Sequence, residues 1–236
     1  MSITAADVKK LRDLTGVGMM DCKKALSDSN GDFNAAIDLL RTKGQKVAAK
    51  RADRDAKEGV IATGSTADGK TAILVEVNCE TDFVARNDVF QSFAAEICDL
   101  VLADLPTDRD VFLHSTMKDG RTVAIALTDM TGKIGEKIDI RRTQVLTSTD
   151  GKIVSYIHPG ARLGVLVDMS GAGNLDAAGR DVAMQVAALN PIATSRDDVP
   201  QELKDKEMQI AAEQAREEGK PEQLVERIAT GKLERY

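Results

Sequence analysis

Apolar residues in the N-terminal part of the chain recur with the spacing of an α-helix, in three short runs separated by glycine-containing breaks. Thr4 and Asp7 can form a capping box at the start of the first run, and Asp32 can cap the third. The apolar positions of the runs are Val8, Leu11 and Leu14, then Met20 or Met19 with Cys22, Ala25 and Leu26, then Phe33, Ala36, Ile37 and Leu40. The pattern predicts a three-helix unit over residues 1–41 with a very small core.

A charged segment follows over residues 42–58, with few large apolar groups. We interpret it as a helical or extended linker. Its basic residues are Lys43, Lys46, Lys50, Arg51 and Arg54. Two interpretations stay open, an RNA contact and a solvated connector, and the interspersed acidic residues favour the connector.

Beyond the linker the pattern changes to two strands followed by a helix, and this order occurs twice. The two copies are residues 59–63, 71–77 and a helical face from Phe90, and residues 151–155, 165–169 and a helix containing Val182. Corresponding elements lie 92 positions apart in every case. The constant spacing predicts an internal duplication of a strand–strand–helix unit.

The remaining segments complete an α+β fold. Between the copies we predict a helix around 121–127, a glycine-containing turn at 131–135 and a strand around 138–146. After the second copy, Pro200 and Pro221 each open a further helix. We therefore expect a helical N-terminal unit, a core subdomain over 59–148, and a second over 149–236 that includes the C-terminal helices.

Composition narrows the function. The chain has 236 residues, 42% of them hydrophobic, and a net charge of −6, which makes a nucleic-acid binder less expected. Cys22, Cys79 and Cys98 lack metal-ligand spacing and are typical of free thiols in a reducing compartment. No targeting segment or membrane-spanning run is apparent, so a cytoplasmic protein is expected, with no cofactor and no metal site.

Motifs for covalent chemistry are missing from the sequence. An enzyme using Cys79 or Cys98 is an alternative, but no partnering histidine is near in sequence. Glu80 and Asp82 could form a carboxylate pair. The polar segment 78–88 follows a strand and holds one large aromatic residue, Phe83. Either Phe83 folds inward behind a helix cap, or the segment presents an acid beside an apolar knob to a partner.

Five segments carry a resemblance to the bacterial elongation factor Ts family. They are LRDLTGVGMMDCKKAL (11–26), VNCETDFVARNDVF (77–90), GKIGEKIDIRR (132–142), HPGARLGVLV (158–167) and the C-terminal GKPEQLVERIATGKLERY. Pro159 is an insertion within the usual His-Gly-Ala-Arg run. The segments span nearly the whole chain in the family's order, which makes the resemblance specific.

The resemblance implies a fold and a role. The fold is a ubiquitin-associated-like three-helix domain followed by two related α+β subdomains. The role is nucleotide exchange on elongation factor Tu, which is bound in its GDP-bound and nucleotide-free states without covalent chemistry, nucleic acid or membrane.

The resemblance also implies roles for particular residues. Thr81, Asp82, Phe83 and Val84 form the element that dislodges the partner's Mg²⁺, with Ile134 and Gly135 as supporting contacts. His158 perturbs the partner's phosphate loop. Arg12, Met19 and Met20 resemble the N-terminal docking surface. Two consecutive methionines cannot both face one small core, so at least one is expected to be exposed.

Overall fold

The computed structural model describes residues 3–235 and divides into two compact units, the first ending at Ala188 and the second beginning at Leu189. The helices are α1 (Ala5–Thr15), α2 (Met19–Asp28), α3 (Phe33–Arg51), α4 (Asp82–Ala85), α5 (Asp88–Asp104), α6 (Arg109–Leu113), α7 (Val123–Ile134), α8 (Leu175–Leu189), α9 (Gln201–Glu217) and α10 (Glu222–Leu233). The strands are β1 (Glu58–Ser65), β2 (Thr71–Cys79), β3 (Asp139–Thr147), β4 (Lys152–Ile157) and β5 (Gly164–Met169). The α+β class expected from the sequence is confirmed.

The three N-terminal helices form where the periodic pattern places them. Thr4 and Asp7 make the reciprocal capping box of α1, and the Asp32 carboxylate caps α3. Leu11 and Leu26 are fully buried in a cluster that α1, α2 and the first turns of α3 share. This cluster is separate from the main core, as expected for a helical unit with its own small interior.

Helix α3 does not end with this unit. It continues to Arg51, so the predicted boundary at residue 41 falls inside the helix, and residues 42–51 of the expected linker are helical. The continuation packs against α7. A Cβ atom added to Gly132 would lie 2.4 Å from the Cα of Gly44, so the two helices approach through their glycines.

The main core lies between α5, α7 and one face of an antiparallel sheet with the order β1-β2-β3. Side chains alternate along a strand, so Ile73, Val75 and Val77 of β2 all point to this face and are fully buried. Phe90 of α5 and Phe112 of α6 pack against the same core without solvent exposure. Aromatic residues are few, and three of the five phenylalanines, Phe90, Phe93 and Phe112, lie in this core.

The β4–β5 hairpin packs on the opposite face of the sheet. Gly164 lies so close to Ile61 and Leu74 that an added Cβ would fall 2.8 Å and 3.1 Å from their side chains. Helix α8 covers the outer side of the hairpin, with Gly179 against Val154. The first unit therefore stacks helices, a three-stranded sheet, a hairpin and a further helix.

The predicted duplication is confirmed at the level of strand register. Val60 pairs with Val77 in the first hairpin, and Lys152 pairs with Met169, each 92 positions later, in the second. A Cβ on Gly59 would lie 2.2 Å from the Val77 carbonyl oxygen, and one on Gly151 would lie 2.3 Å from that of Met169. In both copies a glycine therefore leaves room for the backbone carbonyl of the paired strand.

The segment before β3 differs from its prediction. The turn predicted at 131–135 is wrong for its first four residues, because α7 continues through Ile134 and only Gly135 adopts the left-handed conformation that ends it. Thr131 is buried, and its hydroxyl accepts a hydrogen bond from the Ile138 N–H. The short helix α6 was not predicted, and α4 was anticipated only as a helix that Thr81 or Asp82 could cap. The expected boundary between 148 and 149 lies in the connection from β3 to β4.

The second unit contains an antiparallel pair formed by α9 and α10. Small residues are buried between the two helices, namely Ala211, Ala215, Val225 and Ala229. Arg216 and Glu222 form an ion pair across the connection. Within residues 3–235, none of the helices has both the length and the apolar character needed to cross a membrane.

Candidate functional site: the turn after β2 and its neighbours

The polar segment after β2 forms a tight turn that leads into α4. Thr81 caps this four-residue helix, and its hydroxyl oxygen accepts a hydrogen bond from the Val84 N–H. Val84 and Ala85 pack on the main core, whereas the side chain of Phe83 is 81% exposed. The helix cap expected in one interpretation is present, but an inward-facing Phe83 is excluded. The turn instead presents an aromatic ring to solvent from a firmly packed base.

Thr81 uses its polar groups inside the protein. Its N–H and its hydroxyl donate to the two carboxylate oxygens of Glu136, at 3.0 and 2.8 Å. Its carbonyl oxygen accepts from the Cys79 thiol at 3.1 Å. The side chain predicted to contact a partner therefore holds the turn in place.

Asp82 and Glu80 point to different partners, so the suggested carboxylate pair is wrong. Asp82 forms an ion pair with Arg86 at 2.9 Å, and both side chains are solvent-accessible. Glu80 accepts hydrogen bonds from Arg51 and from the Lys137 N–H, the latter at 2.7 Å. Desolvation opposes ionisation of Glu80, but these two partners outweigh it and hold its pKa below the ordinary value.

Ile134 and Gly135 lie at the end of α7, directly before Glu136. Gly135 has a φ of 84°, and nothing would contact an added Cβ, so backbone conformation rather than space demands glycine there. Both residues line a cleft of about 1100 Å³ that is also lined by Leu14 of α1 and by Gly18, just before α2. The cleft connects the end of α7 with the N-terminal surface.

That N-terminal surface is apolar and open. The side chains of Met19 and Met20 are 51% and 75% exposed, which confirms that at least one of them is exposed. Arg12 is also exposed. Leu14, predicted as part of the helix's core stripe, is 64% exposed, because it belongs to the last turn of α1 and lines the cleft. Leu14 therefore extends the surface in a way that helical spacing alone did not show.

His158 occupies the exposed turn between β4 and β5. Its Nδ1 lies 2.9 Å from the Tyr156 hydroxyl, and the two rings meet edge to face. The turn is tied to the three-stranded sheet, because the Ala161 carbonyl oxygen accepts from the Ile61 N–H at 2.7 Å. Tyr156 was not predicted as a site residue. It lies on β4, and the two-residue alternation of that strand, continued one residue beyond its end at Ile157, puts Tyr156 and His158 on one face.

The His158 turn and the Thr81 turn lie towards the same end of the sheet. Arg162 forms an ion pair with Glu58 at the start of β1, and Glu58 pairs with Cys79 at the end of β2. Thr81 follows two residues later. Two exposed turns from different copies of the repeat thus converge on one edge of the molecule.

The cysteines and the basic segment do not form a second site. Burial raises the pKa of the Cys79 and Cys98 thiols to about 11, so neither is a thiolate at neutral pH. Lys43 and Arg51 form ion pairs with Asp21 and Glu80, which occupies two of the five basic groups considered for RNA.

Comparison with known proteins identifies the family behind this geometry. A family model described as "Elongation factor TS" matches residues 80–236. The elongation factor Ts of Chloroherpeton thalassium is 49% identical over 239 residues, covering 99% of this chain and 83% of that protein. Those of Prosthecochloris aestuarii and Chlorobaculum tepidum are each 48% identical with the same coverage.

An α+β scaffold with two exposed turns, taken together with these matches, defines a translation elongation factor. More narrowly, the chain belongs to the elongation factor Ts family. The resemblance expected from its five segments is confirmed.

Proposed function

We propose that this chain binds elongation factor Tu carrying GDP and promotes the release of GDP, so that a new nucleotide can enter. The Thr81–Val84 turn disturbs the Mg²⁺ site of the partner, and His158 acts on its phosphate loop. No covalent bond is made or broken, no nucleic acid is required, and the reaction takes place in the cytoplasm. Family membership and the exposed Phe83 support this proposal.

The exposure of Phe83 is the observation that carries the proposal. Folding gains from burying an aromatic ring, yet Phe83 is 81% exposed while the residues after it are packed. Burying such a side chain in a partner contributes about 1.5–3 kcal/mol, a factor of roughly 10 to 150 in affinity. Phe83 alone therefore supplies a substantial part of the binding free energy of a tight complex, but not all of it.

Exchange requires contacts that differ between the two states of the partner. A contact that is equal in the GDP-bound and nucleotide-free states improves docking but does not weaken GDP. We assign this state-independent docking to Arg12, Met19 and Met20. The Thr81–Val84 turn, supported by Ile134 and Gly135, and His158 act preferentially on the nucleotide-free state, and linkage then weakens GDP by the same factor.

The test measures release of a fluorescent GDP analogue from elongation factor Tu in the presence of excess unlabelled GDP. Adding the chain is expected to accelerate release in a saturable manner. Unchanged release over a wide range of chain concentrations would overturn the proposal. A simple pull-down does not suffice, because binding without acceleration also contradicts an exchange function.

A further inference from the structure

Two segments far apart in sequence form reciprocal hydrogen bonds beside the Thr81–Val84 turn, each through a carboxylate. Glu136 accepts from the Thr81 N–H, and Glu80 accepts from the Lys137 N–H, at 3.0 and 2.7 Å. Each segment therefore supplies an acid to the other's backbone. The connection links the end of β2 with the end of α7, 55 residues further along the chain.

The two acids differ in what they hold. Glu80 also binds Arg51, and so ties the end of α3 to this junction. Both oxygens of Glu136 are directed at one residue, Thr81, through its amide and its hydroxyl. Bonding to an ionised acceptor is stronger than bonding between neutral groups, and two such bonds to one residue fix its orientation as well as its position.

Helix α4 needs support of this kind. A helix of four residues has too few internal hydrogen bonds to be stable by itself. The same Thr81 hydroxyl that donates to Glu136 accepts from the Val84 N–H and thereby caps the helix. The Thr81 hydroxyl therefore connects Glu136 directly to α4, the helix that contains Asp82 and Phe83.

We propose that Glu136 is a positioning residue that holds Thr81 so that Asp82 and Phe83 are presented in one fixed geometry. We call the two hydrogen bonds from Thr81 to Glu136 the clamp. The clamp is a property of the free chain, whereas its consequence for nucleotide exchange rests on the proposed function. Glu136 acts through Thr81 and needs no contact with the partner. Its position directly after Gly135 means that substitutions at Ile134 or Gly135 can act through the same clamp.

The clamp is tested in the free chain by residue-resolved amide hydrogen exchange. Glu136→Ala is expected to accelerate exchange of the Thr81 and Val84 amides about tenfold or more, with α5 unchanged. Glu136→Gln, which keeps one acceptor, should give an intermediate effect. Glu226→Ala, which removes an exposed acid from α10, is the control and should leave these amides unchanged. Unaltered protection at Thr81 in Glu136→Ala would overturn the clamp.

The consequence is tested on release of labelled GDP from elongation factor Tu. Glu136→Ala should lower the rate at saturating chain by about tenfold, because small misplacements of acting groups have large effects on rate, with a smaller change in half-saturation. Thr81→Ser should retain activity, and Thr81→Val combined with Glu136→Ala should lose little more than the worse single variant. Losses that multiply would overturn action through Thr81. Failure of the unsubstituted chain to accelerate release would instead contradict the proposed function, with the amide-exchange result still deciding the clamp.

Discussion

Phe83 and Phe90 are the same residue type seven positions apart, and their environments are opposite. Phe90 is fully buried in the main core, whereas Phe83 is 81% exposed. The two rings have equal apolar area, so substitutions at the two positions compare the effect of losing a buried ring with the effect of losing an exposed one. Truncation should affect stability at one position and partner binding at the other.

Phe83→Ala is expected to change the free energy of unfolding by less than about 0.5 kcal/mol and to reduce stimulated GDP release strongly. Phe90→Ala is the matched control and should lose about 3–5 kcal/mol of stability. Urea denaturation and the GDP-release assay measure the two effects. A stability loss at Phe83 comparable with that at Phe90 would show that the ring supports the fold.

Asp82 and His158 should differ in their dependence on Mg²⁺. Asp82→Ala is expected to slow GDP release when Mg²⁺ is plentiful and to have much less effect in chelator, where the ion is already gone. The defect of His158→Ala should persist in chelator, because its proposed target is the phosphate loop. GDP release with and without chelator measures both. Equal losses under both conditions would indicate a general docking defect.

Arg86→Ala provides the control for Asp82. The Asp82–Arg86 pair is exposed, so its loss should cost no more than about 1 kcal/mol of stability. A GDP-release defect shared by both variants and equally sensitive to Mg²⁺ would assign the effect to the ion pair rather than to the carboxylate itself.

Glu80 should make stability depend on pH. Its pKa is lowered in the folded protein, so its contribution is present above the ordinary value of about 4.3 and is lost as the pH falls through the lowered value. Glu80→Gln should be less stable than the unsubstituted chain at pH 7 by about 1 kcal/mol, with the difference shrinking below about pH 4. Urea denaturation at both pH values measures it, with Glu226→Gln as a control. A gap that widens in acid would contradict the sign.

Residue environments were only partly predictable from sequence. Adjacent methionines indicated exposure because one small core cannot take both, and that reasoning held. Leu14 followed the helical stripe yet lies exposed, since the stripe does not reveal where the neighbouring helix ends. The role of Glu136 depends on a contact between residues 55 apart, which no local pattern encodes.

At the scale of elements, the crossing of α3 and α7 depends on two glycines. An added Cβ at Gly132 would lie 2.4 Å from Gly44, whereas one at Gly44 would lie 3.4 Å from Gly132. The space is therefore asymmetric. Gly231, within α10, has nothing within 4 Å of an added Cβ and offers a helical glycine free of this constraint.

Gly132→Ala is expected to destabilise the protein by about 1–3 kcal/mol, because the helices must separate. Gly231→Ala should stabilise α10 by about 0.5–1 kcal/mol through helix propensity alone. Thermal unfolding of both variants gives the comparison. Stabilisation by Gly132→Ala would mean that the crossing has room that the structure does not show.

The same glycines explain why element boundaries near α7 were hard to predict. Gly132 and Gly135 each offered a place for the helix to stop. Only the close approach of Gly44, distant in sequence, makes Gly132 a packing residue and leaves Gly135 as the end. The strand–strand–helix repeat was predictable because apolar spacing was retained in both copies, although burial was not. Leu189, the counterpart of the fully buried Ile97, is 74% exposed.

At the scale of the whole molecule, the N-terminal helices have a hydrophobic cluster of their own, yet α3 continues beyond it and packs against α7, a helix of the main core. A cut after residue 41 keeps Gly44 against α7 and Arg51 on Glu80. A cut after residue 57 removes both contacts. The two truncations therefore separate loss of the proposed docking surface from loss of core support.

Removal of residues 1–41 is expected to weaken binding of elongation factor Tu while the remaining chain stays folded. Removal of residues 1–57 should also lower the stability of the core by several kcal/mol, since it leaves Glu80 without Arg51 and α7 without its neighbour. Circular dichroism melts and calorimetric binding measure both. Unfolding on removal of residues 1–41 would show that the three-helix unit supports the core.

Because α3 is one uninterrupted helix between Leu40 and Arg51, its length sets the distance and the angle between the surface that contains Met19 and Met20 and the Thr81 turn. One residue inserted near Arg41 would advance the N-terminal helices by about 1.5 Å and rotate them by about 100°, turning Met20 away from its original direction. Seven inserted residues would nearly restore the rotation and leave only a longer reach. A change in the length of α3 would therefore alter the angle between the two surfaces, the distance between them, or both.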